Sequence, residues 1–297
     1  MNNTKRVLVF YGYYEWWDES TSWGKKLYEK APLLQHLSDY IDDVIIMKDI
    51  GSLRHYLNGD GLHCKNYILP TLHWHVQELL SSGIKSLFSA KTEFFDRLYN
   101  KKDFFHMLKE RDLLHYSPSL YYQDSDRNSD QLVVVKHSNM SSSVGLTKKK
   151  LNEVQDWEFD EHVVQEYVYG SEEYDAVFVF NKGKITLAFA FLCGFDQNEH
   201  IKAHPDTKIT SYNKVILDDN IKNIIEEVME PCYFTGTCCF DFKLQNGQMR
   251  IFEINPRLDG ALASPWNKED LINVIRNLIQ NFDSEFDSKF EIINNCN

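Results

Sequence analysis

Residues 249–260 read MRIFEINPRLDG, and the types and spacing within them suit the binding of a metal ion beside an anion. In an extended segment alternate side chains share a face, so Glu253 and Asn255 project together, about 7 Å apart along the chain. Two oxygen donors so placed can hold a hard cation such as Mg2+. Pro256 has no N–H to give to a ladder, so the strand ends there and Arg257 emerges onto a loop, where a guanidinium can bind an anion. Asp241 lies in the preceding strand-like run CFDFKL, and the Asn246-Gly247 pair between them is a strong hairpin signal. The spacing therefore predicts Asp241, Glu253 and Asn255 on one sheet face as metal ligands. Without a metal, facing carboxylates repel or share a proton. The alternative is an acid pair on an edge hairpin.

A second group follows Lys136, which ends the run LVVVK and precedes HSNMSSSVGL. A lysine and a loop rich in hydroxyl and N–H donors, here including Ser141, Ser142 and Ser143, can close over phosphates. Strands also end in an exposed lysine before a serine-rich turn, and the residues alone leave both readings open. His73 and His75 in TLHWHVQ could be a metal pair on one strand face, or could line a cleft or cap a loop. The loop YYEWWDESTSW follows the first strand, at the end where α/β sheets bind ligands, and Glu15 and Asp18 in it could recognise an amine, or the loop could simply pack on the surface.

These residues need elements to position them. RVLVFYG, DDVIIMKD and KNYILPT read as strands with the amphipathic segment APLLQHLSDYI between the first two, a small α/β layer ending near residue 90. Residues 92–115 have helical spacing, SPSLYYQ is extended, and LVVVK and VVQEYVYG are strands. AVFVFNKGKITLAFAFLCG reads as a hairpin turning at Asn181 to Gly183. A helix over 219–230, the hairpin TCCFDFKLQNGQMRIFEIN and a helix over about 268–282 complete the chain, and the polar tail after them reads as loose.

With 297 residues, 43% hydrophobic, the chain can bury a substantial core without staples. Acidic residues outnumber basic ones, 44 to 32, which argues against a general nucleic-acid surface. Six cysteines form no CxxC pair and read as buried thiols, Cys238 and Cys239 facing opposite ways in a strand. No run approaches the roughly 20 apolar residues that span a bilayer, and the N-terminal apolar run is short for a secretory signal, so a cytoplasmic location is expected.

Taken in order, NKKDFFHMLKERDLLHYSPSL, VVVKHSNMSSSVGL, VVQEYVYGSEEYDAV and FDFKLQNGQMRIFEINPR resemble the ATP-grasp superfamily of carboxylate–amine ligases, D-alanine:D-alanine ligases and amino-acid ligases among them. The resemblance covers roughly residues 90–265. It implies an α/β and α+β fold with a small N-terminal domain over 1–90. An ATP-grasp domain over 91–297 would follow, with a lid subdomain at about 128–168 and a C-terminal subdomain at about 169–297, sandwiching ATP. It also implies ATP with Mg2+ or Mn2+, and roles for particular residues. Lys101 and Lys136 match the two ATP-binding lysines, Ser141, Ser142 and Ser143 the phosphate lid, and Gln165, Glu166, Tyr167 and Val168 the hinge that reads adenine. Glu172 or Glu173 would bind ribose, the spacing from Gly170 favouring Glu172. Asp241, Glu253 and Asn255 match the metal ligands, and Arg257 and Lys136 the catalytic cations. Lys202, Lys208 and Lys214 fall where related ligases carry a substrate loop. Read from its residues alone, LDGALASPWN just beyond Arg257 could help bind the acceptor, or Gly260 and its small neighbours could only permit tight packing.

The expected reaction activates a carboxylate as an acylphosphate and joins it to an amine, with ADP and phosphate released. Expected partners are small carboxylates and amines, with no nucleic acid and no membrane, a homodimer being admissible. The alternatives are a small-molecule kinase on the same fold and a nucleotide-binding module without turnover.

Overall fold

A computed structural model describes residues 4–12, 30–127, 129–138, 146–202 and 207–294, with the side chains of 263, 265 and those beyond 284 left out. Three sheets organise these residues. In the first, β1 (Arg6–Tyr11) lies between β2 (Asp43–Met47) and β3 (Lys65–Pro70), all parallel. Parallel neighbours need crossovers, and α1 (Lys30–Leu37) and α2 (Ile50–Asn58) lie in them. Both faces of this sheet are covered, which is why β1 reads as one unbroken apolar run. Leu8 and Phe10 enter the main core, whereas Val7, Val9 and Tyr11 pack with Leu53 and Leu79.

TLHWHVQ is not a strand: α3 spans His73–Ser82, closed by Gly83 in the left-handed region at φ 69°. The segment 92–115 is broken into α4 (Thr92–Tyr99) and α5 (Lys101–Glu110). Asn100 makes the break, because its extended backbone stops α4 while its side chain accepts from the Asp103 N–H and caps α5. Lys101 thereby becomes the first residue of a helix.

The second sheet is antiparallel in the order β4-β7-β5-β6, comprising β4 (Leu120–Tyr121), β5 (Leu132–His137), β6 (Thr147–Lys150) and β7 (His162–Glu166), with α6 (Asp156–Glu161) leading into β7. The third is antiparallel in the order β10-β9-β8-β11-β12. Its members are β8 (Glu172–Asn181), β9 (Lys184–Phe195), β10 (Ile209–Val215), β11 (Gly236–Gln245) and β12 (Gln248–Asn255). Both hairpin turns fall where the sequence places them. Lys182 and Gly183 (φ 53° and 82°), and Asn246 and Gly247 (φ 53° and 77°), adopt the positive φ that tight two-residue hairpins require.

α7 (Asp219–Met229) and α8 (Lys268–Asn294) pack on the core face of this sheet. α8 runs on to Asn294, through residues read from sequence as a loose tail. The main core continues across residue 90, joining Leu8, Phe10 and Tyr67 to Phe178, Phe240 and Ile275. Polar ties reinforce the join: the Tyr67 hydroxyl donates to Asp283 at 3.1 Å, and Ser89 bridges to Thr235.

Candidate active site

The register of the third sheet brings the acids together. Asp241 on β11 pairs with Glu253 on β12 and with Asp175 on β8, so three carboxyls form a row across three strands. Two pairs along, on the same face, Cys239 lies opposite Asn255. The ladder slips between Asp241 and Phe242, leaving Phe252 as the extra residue of a bulge. Phe242 and Ile251 stay in the core, while Phe252 and Glu253 both line a cavity of about 360 Å3 between the second and third sheets. From the second sheet the cavity takes Val134, Lys136 and Gln165, and from α5 it takes Lys101.

Lysines balance the row. Lys101 Nζ lies 3.1 Å from Glu253 Oε2. Lys136 Nζ donates to the Phe252 carbonyl at 3.4 Å and lies 5.1 Å from the centre of its ring. Burial pushes the Glu253 carboxyl up, but the charges of Lys101 and Lys136, with a hydrogen bond from Asn255 Nδ2 at 3.1 Å, outweigh it and hold the group down to about 2. Burial lowers Lys136 to about 8 against the pull of Glu253. Lys202 Nζ reaches Asp241 at 3.2 Å, Asp175 at 3.3 Å and Glu173 at 3.8 Å. Burial works against the Lys202 charge, and these three carboxylates overcome it, raising the group well above its ordinary value. Asp241 is driven well up by burial and by Asp175, Glu253 and Glu173.

The donor chemistry fits a hard divalent cation held by Asp241, Glu253 and Asn255. The oxygens are present, and on one side of Asp241 the Lys202 ammonium already lies among Asp241, Asp175 and Glu173. The ligand atoms of Asp175, Cys239 and Asp241 also lie within 4.8 Å of one another. Cys239 Sγ, however, donates to Asp175 Oδ1 at 2.7 Å, and burial with the flanking acids raises the thiol well up. A protonated thiol is not the soft ligand a zinc site needs.

At the other end of the cavity the segment after β7 is held by side chains. The Tyr167 hydroxyl donates to the His200 carbonyl at 2.6 Å and accepts from the His200 N–H, and Lys243 Nζ donates to the Val168 carbonyl at 3.0 Å. Gln165 is 1% exposed, lines the cavity, and has no partner for either its amide oxygen or its nitrogen.

A family model for the ATP-grasp domain matches residues 99–261, more than half of the chain. The protein belongs to the ATP-grasp family. No curated protein sequence matches it significantly. Among solved structures, the D-alanine–D-alanine ligase of Bacillus anthracis aligns with a TM-score of 0.57 at 14% identity, over 99% of this chain and 100% of that one. The L-amino acid ligase of Bacillus licheniformis aligns at 0.58 with 11% identity, over 92% of this chain and 75% of that one. The D-alanine–D-alanine ligase of Helicobacter pylori aligns at 0.56 with 16% identity, over 93% and 98%. At these identities the likeness is one of fold.

Within this ATP-grasp fold, Lys101, Lys136, Gln165, Glu166, Tyr167, Val168, Glu173, Asp241, Glu253, Asn255 and Arg257 all line the one cavity. Glu172, which the spacing favours, does not. Consecutive residues of β8 point to opposite faces, so Glu173 turns inward, 8% exposed, and Glu172 outward. Of the three candidate lysines only Lys202 reaches the cavity. Lys208 is exposed, and Lys214 is paired with Asp270 of α8. His73 and His75 form no metal pair, since positions two apart on a helix diverge. His73 stacks on Tyr99, and both ring nitrogens of His75 are engaged, by Thr71 at 3.1 Å and Trp74 at 3.0 Å. Ser141, Ser142, Ser143, Glu15 and Asp18 lie outside the described residues.

Sequence reasoning missed Asp175, Cys239 and Phe252, and marked Asp259 only as part of the segment LDGALASPWN; all four line the cavity. Asp175 had a signal, being two residues after Glu173 on one strand and therefore on its face. The inward turn of Phe252 depends on a bulge that no residue type announces.

Proposed function

We propose that this protein is an ATP-dependent ligase that converts a carboxylate to an acylphosphate and joins it to an amine, releasing ADP and phosphate. The observation that carries the reading is the convergence on one cavity of Asp241, Glu253 and Asn255 with Lys101, Lys136 and Arg257. Oxygen donors for a metal and cations for phosphates are there within a few ångströms of each other. The ligases that share the fold support it.

A carboxylate is a poor electrophile because an attacking amine would have to expel an oxide-like group. Accepting the γ-phosphoryl group turns that oxygen into a phosphate leaving group. In this reading Gln165 and the backbone of 166–168 hold the adenine, for which the unpartnered Gln165 amide offers both a donor and an acceptor. Glu173 holds the ribose. Lys101 and Lys136 hold the phosphates, and Arg257 neutralises charge on the transferring group. Asp241, Glu253 and Asn255 would hold Mg2+ or Mn2+, which when bound supplies further charge neutralisation and alignment. Lys202 lies against Asp241 and has to yield that carboxylate to the metal.

Purified protein supplied with ATP, Mg2+ and pairs of amino acids should release phosphate with particular pairs and give an amide product by mass. Asp241→Asn or Glu253→Gln should lower that rate by at least about 100-fold. Unchanged activity in either variant contradicts the assignment, and a phosphorylated hydroxyl compound as product would make the protein a kinase.

A further inference from the structure

Asp259 has no role in the proposed reaction, yet one of its carboxyl oxygens is buried without a partner. It lines the cavity two residues beyond Arg257 and is 6% exposed. Its Oδ1 accepts from the Ala261 N–H at 3.2 Å, capping the short 3-10 turn Gly260–Ala263, while its Oδ2 is buried with no partner. Arg257 does not supply one: its nearest nitrogen is 3.9 Å away and donates instead to the Leu258 carbonyl at 2.9 Å. A buried carboxyl oxygen without a donor is costly, and such a group marks a place where a ligand brings one. Asp175, whose charge acts on it, is also buried.

We infer that Asp259, backed by Asp175, forms the subsite for the amine acceptor: Asp259 binds the ammonium group of that substrate and takes a proton from it as the amide forms. The inference rests on the ligase reading. An ammonium group carries three donors, which suits two carboxyls better than a single hydroxyl would. The position beside Arg257 sets that nitrogen next to the group being transferred. The ammonium gives one proton to Asp259, and the freed electron pair forms the C–N bond. The C–O bond to phosphate breaks with its electrons going to the phosphate oxygen, and the second nitrogen proton leaves on that phosphate.

The charged and titratable groups around Asp259 are Asp175 from β8, Lys202 from the loop before β10, Tyr212 from β10, Cys239 from β11 and Arg257 from its own loop. Burial and Asp175 raise Asp259 to about 7, against Arg257, so it can accept a proton near neutral pH.

The test separates activation from coupling. Each common amino acid, in both hands, is supplied as carboxylate with ATP, Mg2+ and hydroxylamine, which is neutral at pH 7 and traps an acylphosphate without needing a base. Coupling to an amino-acid amine is then measured with the carboxylates that react. Asp259→Asn and Asp259→Ser both keep a capping atom for Ala261. Both should form hydroxamate within about threefold of the parent rate and lose at least about tenfold in kcat/KM for the amine, together with the rise in coupling through pH 7. Retained coupling in either variant, or an equal fall in both reactions, overturns the inference. A parent protein that forms neither hydroxamate nor amide overturns the ligase reading itself.

Discussion

Each carboxylate in the row Asp175, Asp241 and Glu253 has a lysine within 3.3 Å. Taking one charge away therefore leaves a buried partner uncompensated, which is why conservative amides are the informative replacements. The two glutamates after Gly170 give a sharper comparison. Glu173 lines the cavity, and despite burial it is held below its ordinary value by the His200 ring, 3.7 Å away, and by Lys202 and Lys243. Glu173→Gln should weaken ATP binding by about tenfold, the worth of one charge-assisted hydrogen bond, whereas Glu172→Gln should leave it unchanged. Equilibrium titration of the two variants decides it, and the reverse order would return the ribose role to Glu172. At this scale the sequence was legible where chemistry and strand period coincide, as at Glu253, Asn255 and Arg257. It was not legible where position depends on pairing between strands remote in the chain: nothing near Asp175 announces that Asp241 will be its neighbour.

Elements set that pairing. The Asn246-Gly247 turn and the bulge at Phe252 together put Asp241 opposite Glu253, and the turn could be read from two residues because few others accept positive φ in succession. The break at Asn100 was harder to see, since apolar spacing runs through it and only the capping bond to Asp103 divides the helix. α3 was misread because two histidines and a tryptophan carry no clear period. In the parallel sheet, Asp43 of β2 accepts from Lys30, at the start of α1, and from Lys5 at 2.7 Å. These two lysines bring its carboxyl down to about 2 from 3.8. A carboxyl lowered in the folded state contributes stability above its unfolded value and loses it as pH falls through the folded one. Asp43→Asn should therefore cost about 1–2 kcal/mol at pH 7, the deficit shrinking as pH is lowered from about 4 toward 2. Denaturant titrations across pH measure this, and a constant difference between the two proteins would contradict it.

Over the whole molecule, a net charge of −12 coexists with a cavity into which Lys101, Lys136, Lys202, Lys243 and Arg257 all project. Local cations set in an acidic protein favour a compact anion with its own metal over an extended polyanion. No helix among the described residues is long and apolar enough to cross a membrane. The central claim is that the β11–β12 hairpin and the lysines facing it together hold a metal–nucleotide complex. Calorimetric titration of ATP into the protein, with and without Mg2+, tests it most directly. The account predicts binding that requires Mg2+ and is lost in a Glu253→Gln variant that still unfolds cooperatively; nucleotide binding that is absent, or equally tight without the metal and in that variant, would contradict it.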